Sequence, residues 1–427
     1  MSEGTPMRVL CTTIAHSTHF HSMVPLAWAL RCAGHEVRVA SRPALTDTIT
    51  GAGLTAVEVG KDDRLSGGRV GAAAPAAPAT GASQVDFTAL RAGEWDPHDL
   101  LGFYTMLVPS FFAGLNDDAM IDDLVEVARD WRPDLVIWEP LTWAGAIAAR
   151  VSGAAHARLL WSADVLGLVR QQFLAELARV PAPERDDPMA EWLTWTLDRH
   201  GCEFDEEVVG GQLTIDQEPP AVRLPVRGRS LPMQYVPYNG PAVLPDWLRK
   251  SPSRPRVCLT LGVSARNGRG RTTVSFGDVL SALGDLHVEV VVTASGQERG
   301  ALGEVPRNVR VVEFVPLHAV LPSCAAIVHH GGAGTWSTAI RAGVPQLIIP
   351  EIWDTGIKAD LITEAGAGLC QPRPTMTPRS VREHLLRLLE EPSFAEAAAR
   401  LRAEMLAQPT PAELVPRLER FVAEQRR

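Results

Sequence analysis

Short apolar runs of strand length alternate with helical segments along this chain, and the alternation halts at a proline-rich stretch and then begins again. Residues 7–14, Met-Arg-Val-Leu-Cys-Thr-Thr-Ile, have the length of a buried strand. A loop is expected over 15–23. A helix then opens at Val24-Pro25, with proline in its first turn and Gly34 placed to end it. Residues 36–40, Glu-Val-Arg-Val-Ala, read as the next strand. Strand, helix, strand in that order is a βαβ unit, which favours a parallel sheet covered by helices. The segment 98–131 reads as helical, 134–138 as a strand, 143–151 as a helix and 186–208 as a pair of amphipathic helices. Nine prolines fall between 219 and 256, where apolar periodicity weakens, so a boundary and linker are expected there. Strand patterns resume at 257–261, 288–293, 309–314, 326–329 and 346–349.

The expected fold class is therefore α/β, two Rossmann-like halves in tandem. The expected limits are residues 1–235, a linker at 236–255, a second unit at 256–408, and a helix at 409–427 long enough to cross back onto the first. Residues 66–84, rich in Gly, Ala and Pro, read as a mobile surface insert. Ligands of paired open α/β sheets bind beyond the carboxyl ends of the strands, here between the halves.

With 427 residues, two or three domains are expected. The net charge of −9 argues against a general nucleic-acid binder, which needs a basic face. Of the 41 basic residues only Lys61, Lys250 and Lys358 are lysines. The six cysteines form no Cys-x-x-Cys motif and read as scattered thiols of a reducing compartment. No secretory signal and no uninterrupted spanning run are evident. A soluble cytoplasmic protein with no membrane partner is expected.

Three local patterns can carry chemistry. In residues 326–339, Ala-Ile-Val-His-His-Gly-Gly-Ala-Gly-Thr-Trp-Ser-Thr-Ala, a strand runs into a glycine-rich turn and then a helix. Such a turn lets backbone N–H groups approach an anion, and the helix N-terminus adds about half a positive charge. Thr335 is placed to cap that helix and donate to phosphate, and His330 to donate from the other side. A tight turn without a ligand fits the glycines equally well. The dinucleotide pattern GxGxxG fails because Ser337 stands where its last glycine belongs, and no Gly-Lys-Ser/Thr follows for a nucleoside-triphosphate loop. The second pattern is His16, His19 and His21 after the first strand. Their spacing matches no zinc motif, so no metal is expected. One of them can act as a general base near neutral pH, the alternative being an ordinary surface histidine. The third is Pro350-Glu351-Ile352-Trp353-Asp354-Thr355, whose carboxylates either face a ligand at the glycine turn or, for Asp354, cap a helix.

Taken in order, these segments resemble the GT-B-fold family 1 glycosyltransferases of bacterial antibiotic biosynthesis, and among them the macrolide and anthracycline aminosugar transferases. The resemblance is carried by residues 24–30 and 33–37, Trp131-Arg132-Pro133-Asp134, Trp138-Glu139-Pro140, Tyr235-Val236-Pro237-Tyr238-Asn239-Gly240, Phe314-Val315-Pro316-Leu317, His330 to Thr335 and residues 350–354. It implies two facing Rossmann-like domains and an inverting displacement that needs neither metal nor cofactor, only a TDP-deoxysugar donor and a hydrophobic polyketide aglycone. It assigns the general base to His19, with His21 as runner-up. It does not identify the carboxylate that would orient that base, for which Glu139 is a candidate only by its place at a strand end. It gives His330, Gly331, Gly332, Ala333, Gly334 and Thr335 to the pyrophosphate, with Gly262 and Ser264 approaching the phosphates. Main-chain groups at Val315 and Leu317 would meet the base, and Glu351 and Asp354 the sugar. Thr355 stands where many relatives carry Gln, which fits a sugar with fewer hydroxyls than glucose. The resemblance further implies an auxiliary activator related to cytochrome P450, docking on helices near 60–130, and allows a homodimer. Phe87, Phe103, Phe111, Phe112, Trp143 and Trp161 are expected to line an apolar acceptor pocket. The competing readings are a Rossmann-type nucleotide-dependent oxidoreductase and a non-catalytic GT-B-like binding protein.

Overall fold

The computed structural model describes residues 6–62, 87–260, 276–300, 302–351 and 353–426. The insert at 66–84, and Gly262 and Ser264, lie outside the described residues.

The first half builds one sheet from β1 (Arg8–Thr12), β2 (Glu36–Ser41), β3 (Thr55–Glu58), β4 (Leu135–Trp138), β5 (Ala155–Leu159), β6 (Leu213–Asp216) and β7 (Ser230–Pro232). Their order is β3-β2-β1-β4-β5-β6-β7, and every pairing is parallel. The second half uses β8 (Arg256–Thr260), β9 (Glu289–Thr293), β10 (Val309–Val312), β11 (Cys324–His329), β12 (Gln346–Ile348) and β13 (Gly368–Cys370). Its order is β10-β9-β8-β11-β12-β13, again all parallel. Each sheet thus winds outward in both directions from a central pair, β1 with β4 and β8 with β11. At such a reversal the connecting helices diverge to opposite faces and leave a crevice beyond the strand ends, where ligands of this architecture bind.

The central strands are buried on both faces, which is why they read as continuous apolar runs. β5 breaks that pattern, because Ala-His-Ala-Arg-Leu is fully buried only with partners for its polar residues. His156 Nδ1 accepts the Trp138 indole N–H at 3.2 Å, and Arg158 pairs with Asp164 at 2.5 Å.

The helical expectation for 98–131 is corrected to four pieces, one of them the short helical turn Ala113–Leu115. Pro97–Leu107 is helical, Val108–Phe112 is a π-type turn, and Asp118–Trp131 restarts behind an Asp117 cap. Pro109 lacks the N–H that would continue the regular ladder. The stretch 15–23 is also corrected, since Ser17–His21 forms a one-turn helix rather than a loop. The pair expected over 186–208 comprises Pro188–Asp198 and the short Glu207–Gly210.

The last helix, Pro411–Gln425, starts with a capping box between Thr410 and Glu413. Its Leu414, Val415, Leu418, Phe421 and Val422 are buried in one cluster with Val24, Leu26 and Leu30 of the first half. Burying five such side chains contributes about 8–15 kcal/mol before entropy is charged. A second cluster spans both halves, joining Phe87, Phe103 and Phe112 to Trp336, Ile340, Ile357 and Leu361.

Candidate active site

In the first sheet the crevice lies between the ends of β1 and β4, where Thr12 and Trp138 are register partners. The chain leaving β1 turns at His16 into the Ser17–His21 helix, and the chain leaving β4 begins with Glu139. Residues 120 positions apart in sequence thereby meet: His19 Nδ1 lies 3.1 Å from Glu139 Oε2. Glu139 is fully buried. Its Oε2 also accepts the Leu141 N–H at 3.1 Å and the Trp161 indole N–H at 2.9 Å, while Oε1 accepts the Thr142 hydroxyl and the Ile14 N–H. Burial alone would raise the carboxyl pKa. The facing His19 and the hydrogen bonds from His19, Thr142 and Leu141 outweigh it and hold the group below its ordinary range. A carboxylate at Nδ1 fixes the proton there and leaves Nε2 as the basic nitrogen.

The other two histidines are placed differently. His16 Nδ1 hydrogen-bonds the Thr18 hydroxyl at 2.7 Å, and burial, with His19 next to it, pushes its pKa down to about 4. His21 packs edge-on against Tyr238 with ring centroids 5.3 Å apart, and burial pushes it down to about 4. Among the described residues no group of three or more His, Cys, Asp or Glu is arranged to hold a metal.

In the second sheet the crevice lies between β8 and β11. His329 ends β11 facing inward, with Nε2 2.8 Å from Gln346 Oε1 and Nδ1 accepting the Gly331 N–H at 3.1 Å, so the turn is stapled from below. Gly331 has φ +91, and a Cβ there would sit 3.0 Å from the Thr355 Cβ. A Cβ on Gly332 would lie 2.7 Å from His330 Nε2. The turn therefore needs both glycines to fold against that ring. The helix Ala333–Ala342 starts with Gly332 as its cap, so Thr335 lies inside the first turn and does not cap it, correcting the expectation. Gly334 is exposed at that N-terminus. His330 is 6% exposed, and burial, helped by His329, Lys358 and Arg373, pushes its pKa down to about 3. It is neutral at physiological pH and offers a single N–H without charge.

The loop after β12 carries the remaining donor-side candidates. Glu351 is ion-paired with Arg373, and its N–H donates to the Thr355 hydroxyl at 3.1 Å. Asp354 pairs with Lys358 at 2.9 Å, both nearly inaccessible. Asp354 is the cap residue of the helix Thr355–Glu364, but its side chain makes no capping bond. Lys358 and Arg373 were not anticipated, although Asp354 and Lys358 stand four apart on one helix, the spacing of a legible pair. Val315 is buried in the segment after β10, and Leu317, half-buried, starts the short helix Leu317–Val320. Also unanticipated are two grips from the first half on the Ala333–Ala342 helix. Ser337 Oγ donates to Glu218 Oε1 at 2.7 Å, and the Tyr235 hydroxyl donates to the Gly334 carbonyl at 3.4 Å.

The apolar residues expected to line an open acceptor pocket need correction. Phe87, Phe103, Phe112 and Trp143 are at most 3% exposed and belong to the core. Phe111 packs on Trp353 across the halves, with centroids 5.5 Å apart, and Trp161 packs on His19 at 4.7 Å.

Two facing Rossmann-like domains, with candidate groups at both switch points and a last helix returning to the first domain, define a GT-B glycosyltransferase. The chain belongs to the erythromycin biosynthesis protein CIII-like family, whose N-terminal domain model matches residues 28–262 and whose C-terminal domain model matches 277–421. It is 53% identical over 421 residues to 10-deoxymethynolide desosaminyltransferase of Streptomyces venezuelae, covering 99% of this chain and 98% of the relative. It is 52% identical over 430 residues to aklavinone 7-beta-L-rhodosaminyltransferase of Streptomyces galilaeus, covering 98% and 97%. Among solved structures, glycosyltransferase VinC in complex with DTDP superposes with a TM-score of 0.84 at 42% identity, covering 98% of this chain and all of that one. The oxidoreductase reading gives way to this family. Among the described residues no helix is long and apolar enough to cross a membrane.

Proposed function

We propose that this glycosyltransferase moves a deoxyaminosugar from a TDP-sugar to a hydroxyl of a macrolide or anthracycline aglycone, with inversion, in antibiotic biosynthesis. Relatives at about half identity that are named for desosamine, rhodosamine and daunosamine transfer support the donor class. The observation that carries the mechanism is the 3.1 Å contact between His19 Nδ1 and the buried Glu139. With that nitrogen held, Nε2 takes the proton as the acceptor oxygen bonds to the anomeric carbon and the bond to the TDP oxygen breaks. Glu139 stabilises the imidazolium so formed. Negative charge grows on the departing diphosphate, and the N–H groups of residues 331–335, the helix end and the His330 N–H meet it there. Gly262 and Ser264 are assigned to the same phosphates, Val315 and Leu317 to the thymine, and Glu351, Asp354 and Thr355 to the sugar side. His21, turned toward Tyr238, is left without a role in proton transfer.

The reading includes a cytoplasmic location, a P450-related activator without which transfer is weak, and room for a homodimer. Replacing His19 by Ala should leave TDP binding by calorimetry intact and abolish transfer. Undiminished transfer would refute the assignment of the base.

A further inference from the structure

Glu139 Oε2 is shared. The His19 imidazole reaches it from one side and the Trp161 indole N–H from another, at 3.1 and 2.9 Å. Trp161 comes two residues after β5, which is paired to β4 with Arg158 opposite Trp138, so its position follows from sheet register. Its ring also lies on the imidazole, with centroids 4.7 Å apart and planes tilted by 56°. One side chain therefore touches both members of the pair, through a polar edge and an apolar face. A tryptophan serving only as packing would not need its N–H on the carboxylate oxygen that the histidine uses.

We infer that Trp161 is a positioning residue of the transfer reaction, fixing the His19 ring against rotation and sharing Glu139 Oε2 with it. The inference rests on the reading of His19 as the base. The indole N–H draws part of the carboxylate's charge and so tempers the pull of Glu139 on the imidazole. Among the described residues the charged and titratable groups around the pair are few. His16 lies 5.4 Å from His19 between ring centroids, His21 faces Tyr238, and beyond Trp161 the Arg158 and Asp164 side chains are paired with each other. None of them offers Oε2 a substitute donor.

The test replaces Trp161 by Phe and, in a second variant, by 3-benzothienylalanine, which keeps the bicyclic shape and exchanges N–H for sulfur. Without the indole donor, more carboxylate charge falls on His19 and its protonated form is favoured. The acid limb of the kcat/KM pH profile should move up by about half to one pH unit, the size set by one hydrogen bond. Affinity for TDP and the KM for the donor should stay unchanged. In a Glu139→Gln background the same replacement should change kcat/KM by less than about twofold, because the effect passes through Glu139. An unmoved acid limb in the benzothienyl variant, or a rise in aglycone KM alone, would overturn the inference. If that happens while His19→Ala is still inactive, only the role of Trp161 fails; if His19→Ala is active, the underlying assignment of the base fails instead.

Discussion

Replacing Glu218 by Gln should change how stability depends on pH. Glu218 follows β6 at the seam between the halves, is 1% exposed, and accepts the Ser337 hydroxyl at 2.7 Å. Burial pushes its pKa from 4.5 up to about 8; Asp216 adds to the rise, and Ser337, Lys358 and Arg223 oppose it. Below pH 4.5 the group is protonated in both folded and unfolded chains, and its stabilising share is fully present. From 4.5 to about 8 the unfolded chain has released the proton while the folded chain holds it, so stability falls as pH rises and levels off above 8. At 1.36 kcal/mol per pH unit the whole loss is at most about 5 kcal/mol. Gln keeps an acceptor for Ser337 and has nothing to ionise. Relative to the native chain it should gain about 3 kcal/mol between pH 5.5 and 8.5. At roughly 2–4 °C per kcal/mol, the difference in Tm between the two chains should open by about 6–12 °C over that range. Thermal unfolding followed by circular dichroism at four or five pH values reads this directly. A Tm difference that stays flat with pH would refute the claim that Glu218 enters the fold protonated.

Gly331→Ala forces φ +91 on a residue with a Cβ and brings that Cβ against Thr355. It should cost about 1–2 kcal/mol of stability and weaken TDP binding at least about tenfold, measured by calorimetry. Affinity equal to the native chain would mean that the shape of this turn is not what holds the nucleotide. Lys358→Met strands the buried Asp354 carboxylate and should cost about 3–5 kcal/mol in urea unfolding. Replacing Asp354 by Leu in the same chain should restore most of that loss; failure to restore any would show that the pair is not the source.

Much of the fold is written locally. β1, β4, β8 and β11 are apolar runs closed by turn residues, and their length and apolar continuity are enough to find them. β5 escapes because His156 and Arg158 are polar and become buriable only through Trp138 and Asp164, partners that the fold supplies. The glycine turn is legible as a strand-to-helix junction, but the helix starts at Ala333, two residues before the threonine that looks like its cap. The His19–Glu139 pair joins two loops through the adjacency of β1 and β4, which no local pattern encodes. Likewise the exposure of an aromatic residue is decided by what packs on it. Phe87 and Phe103 look available for a ligand until Trp353 and Trp95 are placed against them.

The charge of the donor side shows how an acidic chain can be built to receive a diphosphate. With a net charge of −9, long-range attraction is absent, and a local cluster of free cations would be the simplest remedy. Among the described residues the donor side does otherwise. Lys358 is paired with Asp354, Arg373 with Glu351, and burial drives His329 and His330 neutral, to about 4 and about 3. These six groups sum to zero before any ligand arrives. An unpaired lysine as buried as Lys358 would cost several kcal/mol, so the neighbouring carboxylates are what make its burial tolerable. Among the described residues, what this leaves for an anion is the set of N–H groups at the glycine turn and the N-terminal end of the Ala333–Ala342 helix, fixed dipoles that need no counter-ion and no reorganisation. Such a site selects by the positions of its donors rather than by net charge. That is why the Gly331 conformation, the His329 staple and the two grips from Glu218 and Tyr235 all converge on the same few residues.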